Sequence, residues 1–325
     1  MNRFGSILGL SIFGESHGES VGIVIDGCPP GVPIAAEDFA TDIERRKTGK
    51  PGTSPRVESD WPLIKSGVFK GKSSGSPITI LFNNSNTQSK DYSEIKNTPR
   101  PGHADFTAFK KYNGFNDYRG GGHFSGRVTV GLVAAGVIAK KILSNATFVS
   151  RILEVGGRKD IENAVEEAMA KGDSIGGLIE CKVSNLPIGL GEPFFDKVEA
   201  MIAHAIFSIP AIKSLEFGSG IAAAKMLGSE NNDLILDGSG KTATNHSGGM
   251  NGGITNGNEL ILRVAVKPPS SIVKTQETFS VKSKGIEKLS VKGRHDACIA
   301  LRLPVIVEAA TAVALADLYL RNNAN

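Results

Sequence analysis

The sequence predicts a mixed fold of strands and helices in one globular chain. Two observations carry this. Runs with strand spacing alternate with runs of helical spacing, and no linker-like stretch separates them. Of 325 residues, 40% are hydrophobic and 22% charged, which suits a folded protein and excludes a disordered or collagen-like one. Length alone allows one large domain or two.

Val21–Ile25 reads as a strand closed by the turn Asp26-Gly27-Cys28-Pro29-Pro30-Gly31. A helix is expected over Glu37–Arg46, with Phe39 and Ile43 on one face, followed by a Gly/Pro/Ser-rich loop over Lys47–Pro55. Pro77–Phe82 is a second strand. Arg127–Leu143 contains the longest apolar stretch, Val128–Ala139, too short to span a bilayer and therefore a buried core helix. Asp160–Lys171 is amphipathic, with Asp160 placed to cap it. Phe194–Ile209 is helical, Asn258–Val266 a strand, and Pro304–Leu320 a closing helix with proline in its first turn. A faint repeat is visible: glycines four apart precede both Ile78–Phe82 and Leu260–Val264, and Arg127 and Arg294 each head a long apolar segment.

Several functions are disfavoured at once. Only 6% of residues are aromatic and the net charge is +4, a poor basis for gripping nucleic acid. Three well-separated cysteines, Cys28, Cys181 and Cys298, form neither a disulfide scaffold nor a zinc motif. No signal peptide or membrane span stands out, so a soluble cytoplasmic protein is expected. Gly14-Glu15-Ser16-His17-Gly18 matches the nucleophile elbow of hydrolases letter for letter, but the residues after it read as a strand where that motif needs a helix.

The chemistry lies in glycine-rich loops. His17, His103, His123, His246 and His295 sit in such loops, and only His204 lies within a helix, where a structural role is expected. One histidine in a turn is unremarkable; five suggest acid–base work or anion binding. Arginines accompany them: Arg45 and Arg46, Arg100, Arg119, Arg127 and Arg294. Guanidinium groups grip phosphate and carboxylate, glycines let backbone N–H groups approach an anion, and Gly120–Ser125 leads into a helix N-terminus. Asp296, beside Arg294 and His295, is the acid that stands out, either as an ion-pair partner or as a proton acceptor. Gly248–Gly253 reads as a loop lying against something flat or charged. No His/Cys/carboxylate set has metal-ligand spacing. The residues call for an enzyme acting on a small polyanion.

At these residues the chain resembles the chorismate synthase family along nearly its full length. The matching segments are FGESHG (Phe13–Gly18), RPGHAD (Arg100–Asp105), DYRGGG (Asp117–Gly122), GDSIGG (Gly172–Gly177), GLGEP (Gly189–Pro193), NHSGG (Asn245–Gly249), KPPSS (Lys267–Ser271) and GRHDAC (Gly293–Cys298). The resemblance implies a lyase of aromatic biosynthesis that converts 5-enolpyruvylshikimate 3-phosphate to chorismate. It does so by anti 1,4-elimination of phosphate and a ring proton, with reduced FMN and no net redox change. It implies a single α+β domain over residues 1–325, a β-α-β sandwich with internal duplication, assembled as a homotetramer.

By motif, His17 and His103 are its acid–base histidines, Asp296 assists deprotonation, and Ser16 donates a supporting hydrogen bond. Arg45, Arg46, Arg100, Arg127 and Arg294 take the substrate's anionic groups. The flavin meets His123, Phe124, Ser125, Pro210, Ala211, Gly252, Lys267, Pro268, Pro269, Ser270, Ser271 and Arg294. Arg46 also matches a position linked with NADPH in members that reduce their own flavin; without an added oxidoreductase domain, an external flavin reductase is expected here.

The chain departs from the family pattern in places. His123 and Phe124 stand where arginine and serine are common, Pro210 where asparagine is, and Ala297 where proline is. The stretch from Arg151 to Asp173 is short for the family and reads as trimmed surface. A non-catalytic flavin- or polyanion-binding module that kept only the fold is the alternative, and the paired histidines and Asp296 weigh against it.

Overall fold

Alternating apolar residues build two antiparallel sheets, and two long apolar helices fill the space between them. The computed structural model describes residues 2–87, 95–291 and 293–324. The first sheet comprises β1 (Arg3–Phe4), β2 (Gly9–Gly14), β3 (Ser20–Asp26), β4 (Leu63–Ser66) and β5 (Ile78–Asn83), in the order β1-β2-β3-β5-β4. Register pairs Val21 with Phe82, Ile23 with Ile80 and Ile25 with Ile78, and all six side chains are buried. Because strand side chains alternate in direction, that register commits one face of the sheet to the core.

The second sheet comprises β6 (Thr147–Val155), β7 (Gly177–Ser184), β8 (Ile212–Phe217) and β9 (Leu260–Val266), in the order β8-β9-β7-β6. Leu260, Leu262, Val264 and Val266 alternate inward along β9. The helices longer than a single turn are α1 (Ala40–Arg46), α2 (Asp105–Lys111), α3 (Thr129–Ile142), α4 (Ile161–Ala170), α5 (Val198–Ile206) and α6 (Pro304–Asn322), among the described residues. The helix α3 packs on β3 and β5, α6 packs on β6 and β7, and the two helices pack on each other. The layers are therefore sheet, helix pair, sheet.

Close approach sets that helix pair. A Cβ on Gly136 would lie 2.4 Å from Ala309 Cβ, so only glycine lets the two backbones meet there. Among the described residues no helix is long and apolar enough to cross a membrane.

Helix limits differ from expectation at their starts. The expected Glu37–Arg46 helix divides into a 3-10 turn, Ala36–Phe39, and α1; Phe194–Ile209 contains a separate 3-10 turn, Phe194–Asp196, before α5. Asp160 stands at the start of α4 but makes no side-chain cap; its carboxylate pairs with Arg158 instead. The stretch from Arg151 to Asp173 comprises the end of β6, a Gly156–Asp160 connection and α4.

The chain's two ends are tied together. Asp317 on α6 is fully buried, and its Oδ1 accepts from the backbone N–H groups of Ser6, Ile7 and Leu8 at 3.0, 2.8 and 2.9 Å.

Candidate active site

The run Arg119–Phe124 kinks sharply at Gly120, Gly121 and Gly122, which take φ values of 59°, 82° and 54°. Side chains rarely tolerate that backbone, and space forbids them as well. A Cβ on Gly120 would sit 2.3 Å from His17 Cε1 and Nδ1; one on Gly121 would sit 3.3 Å from His103 Cε1. One bare stretch of backbone thus lies against both imidazoles.

Around His17, Arg56 organises the wall. Its Nη1 donates to Ser16 Oγ at 2.9 Å and its Nη2 to Ser16 O at 3.0 Å, while Glu58 pairs with it at 2.7 Å. His17 is buried, and that burial, followed by the charges of Arg56 and Arg119, holds its pKa below the usual histidine range.

His103 Nδ1 lies 2.6 Å from Asp105 Oδ1. Arg100 Nη2 lies 3.1 Å from the same nitrogen, but the shorter carboxylate contact favours the ring proton on Nδ1, with Nε2 as the basic nitrogen. Arg100 grips the same carboxylate, Nε to Oδ2 at 2.7 Å and Nη2 to Oδ1 at 2.8 Å, and reaches Ser271 Oγ at 2.9 Å. Burial lowers the His103 pKa and Arg100 adds to this, while Asp105 opposes both. Burial would raise Asp105, but its bonds to Arg100 and His103 prevail and hold it far below the usual carboxylate range.

The neighbouring arginines Arg45 and Arg46 point apart. Arg45 leaves the site: Glu308 takes it at 2.8 and 2.6 Å, with Asp42 alongside. Arg46 is buried on the cavity side and pairs with Asp60 Oδ2 at 2.8 Å; Arg127 takes Asp60 Oδ1. Burial draws the Arg46 pKa down to about 10, which still leaves it charged at neutral pH. Arg127 Nε also donates to Asn84 Oδ1 at 2.8 Å, and Arg294 holds Asn86 at 2.7 and 2.9 Å.

These groups surround a cavity of about 830 Å³. Its lining brings together Ser16, Arg46, Arg100, His103, Arg127, Arg294 and Asp296 with the expected flavin contacts His123, Phe124, Ser125, Pro210, Ala211, Lys267, Pro269, Ser270 and Ser271. His17 stands immediately behind Ser16 and Gly120. Arg45, Pro268 and Gly252 do not reach the lining. The lining carries nine cationic side chains (Arg3, Arg46, Lys47, Arg56, Arg100, Arg127, Lys267, Arg294 and Arg302) against the carboxylates of Glu58, Asp60 and Asp296. Such a surplus suits a polyanionic ligand.

A family model described as chorismate synthase matches residues 8–320. A chorismate synthase of Chitinophaga pinensis is 63% identical over 98% of this chain and 97% of its own length. One from Lachnospira eligens is 46% identical over 98% and 95%. The chain belongs to the chorismate synthase family. A solved structure, titled as the crystal structure of chorismate synthase, superposes with a TM-score of 0.76 at 27% identity, covering 98% of this chain and 93% of that one. The fold is therefore that of the chorismate synthases, and the activity is that of a lyase of the shikimate pathway. Membership implies reduced FMN as cofactor and 5-enolpyruvylshikimate 3-phosphate as substrate.

The residues present fit a flavin of the kind chorismate synthases use. Leu132, Ile209, Pro210 and Ala211 give the cavity an apolar wall. Arg46 Nε is buried without an acceptor among the described residues, as befits a site that takes an anionic group.

Sequence reasoning missed Arg56, Asp60, Asp105 and Arg302. Asp105 was within reach, since it closes the RPGHAD segment; Asp60 and Arg302 carry no motif. His204, expected to be structural, packs edge-on against Phe4 with ring centroids 5.2 Å apart, and both line the cavity. His246 lies away from the cavity and bonds Ser219 Oγ at 2.9 Å. The Gly248–Gly253 loop does not line the cavity either; Gly248 packs against the backbone of Gly218.

Proposed function

We propose that His103, His17 and Asp296 carry the proton transfers of the elimination, within a cage of arginines that binds the substrate. Bound reduced FMN supplies transient electron density to the substrate and recovers it. The observation that carries this reading is the glycine turn that lies against both imidazoles. In the free chain, burial and the surrounding guanidiniums favour neutral rings. Entry of a ligand with a phosphate and two carboxylates reverses the local charge and raises the proton affinity of both rings. His103, its Nδ1 proton fixed by Asp105, then offers Nε2 as the site that gains a proton and delivers it toward departing phosphate.

Arg56 orients Ser16 beside His17, and Ser16 donates a supporting hydrogen bond. Arg46, Arg127 and Arg294 keep carboxamide, carbonyl or carboxylate partners in the wall while presenting charge to the ligand. Arg100 acts on the ligand through the Asp105–His103 contact. His123 Nδ1 donates to Gly14 O at 3.0 Å, which holds the ring at the cavity edge for the flavin. The reduced flavin comes from an external reductase, and Arg46, which lines the cavity with its Nε unpartnered among the described residues, serves the substrate's anionic groups.

The test is anaerobic phosphate release from 5-enolpyruvylshikimate 3-phosphate, with dithionite-reduced FMN or with NADPH and oxidised FMN. Turnover is expected with dithionite alone, and His103→Ala and His17→Ala are expected to lose about 10²–10⁴-fold in kcat while keeping substrate binding. Wild-type rates in both variants would overturn the assignment; turnover with NADPH would overturn the external reductase.

A further inference from the structure

Asp296 is held at both carboxylate oxygens. Ser54 N donates to Oδ1 at 3.0 Å, and Arg302 Nη2 donates to Oδ2 at 2.8 Å. The Ser54 side is rigid. Ser54 Oγ bonds Arg294 O at 3.1 Å, and the N–H groups of Ala297 and Cys298 both donate to Gly52 O, at 2.9 and 3.0 Å. The remaining freedom of the carboxylate is rotation about its own side-chain bonds, and Arg302 opposes that rotation.

Arg302 closes the 3-10 turn Ile299–Arg302, and its side chain is only 11% exposed. A buried arginine with a purely structural role is expected to have all its donors satisfied. Arg302 instead leaves Nε without an acceptor among the described residues and commits Nη2 to Asp296. Gly126 lies close by, where an added Cβ would sit 3.4 Å from Arg302 Nη2.

We infer that Arg302 is the positioning residue of Asp296, fixing through its Nη2 contact the direction in which the second carboxylate oxygen faces the cavity. This rests on the assignment of Asp296 to proton transfer. Arg302 acts through Asp296 and makes no contact of its own with the reacting atoms.

The experiment is a double-mutant cycle with D296N, R302Q and the combined variant, assayed anaerobically with reduced FMN across substrate concentrations. R302Q is expected to lower kcat about 10- to 100-fold with KM changed less than about threefold. R302K is expected to recover part of that loss, since lysine keeps one charged donor. In the D296N background, R302Q is expected to cost less than about twofold. A full multiplicative loss in that background overturns the inference, as does a raised KM with kcat unmoved, which marks a ligand contact. Wild-type turnover by D296N overturns the assignment of Asp296 itself and is a separate result. Where R302Q does not fold, R302K carries the same cycle.

Discussion

Gly120 shows how much chemistry depends on a residue without a side chain. Its φ of 59° and the 2.3 Å that a Cβ would leave to the His17 ring make alanine doubly unwelcome. Gly120→Ala is expected to cost about 1–3 kcal/mol in stability and at least about tenfold in kcat. Thermal melts and the phosphate-release assay read the two effects separately. The same histidines give a pH signature. Both have folded pKa values below the unfolded value of about 6.5, so the unfolded chain binds more protons as pH falls through that value. Their contribution is complete above about pH 6.5 and declines below it; denaturant melts from pH 7.5 to 5.5 are expected to show stability falling, and the decline is expected to be smaller in a His17→Gln, His103→Gln double variant.

Residue type was legible at this scale, whereas direction was not. The sequence places Arg45 and Arg46 side by side and assigns both to the ligand. On a helix they lie about 100° apart, and the choice of which faces the cavity falls to Glu308 and Asp60, one of them more than 260 positions away.

Among the elements, the helix pair is held at close quarters. Gly136 meets Ala309 with no room for a methyl group, so Gly136→Ala is expected to destabilise the fold by about 1–3 kcal/mol by forcing α3 and α6 apart. Ala309→Gly returns the missing space, and the double variant is expected to be less destabilised than the sum of the two singles; denaturant titrations of the four proteins check it. Long apolar runs such as Val128–Ala139 announced these helices. The strand β6 gave little sign of itself, because at the sheet edge it carries Ser150, Arg151 and Glu154 among its apolar residues. Helix starts were overextended for a related reason. A 3-10 turn such as Ala36–Phe39 buries Phe39 much as a helix would, and hydrophobic spacing does not separate the two.

In the whole molecule, the chemical groups come from Ser16–His17 near one terminus, Arg100–Arg127 in the middle and Arg294–Arg302 near the other. The motifs were legible because each holds its own loop, but their convergence is a product of both sheets and the helix pair. A proposal from family resemblance belongs here too: a homotetramer. Its support is the stretch from Ile221 to Leu236, where Ile221, Leu227, Leu234 and Ile235 are 67–81% exposed, an unusual amount of apolar surface for one segment. Light scattering is expected to give four chain masses, and Leu234→Asp with Ile235→Asp is expected to lower that mass; a wild-type monomer at micromolar concentration would remove the proposal.

The carboxylate of Asp317 also imposes an order on events in the cell. Ribosomes make Ser6, Ile7 and Leu8 more than 300 residues before Asp317, yet the three amides find this carboxylate acceptor only in that later residue. Strands Arg3–Phe4 and Gly9–Gly14, which flank the amides and supply part of the cavity wall, therefore wait for α6 to be made before they gain this anchor. A nascent chain released short of its last helix emerges with these strands unmoored and the wall incomplete.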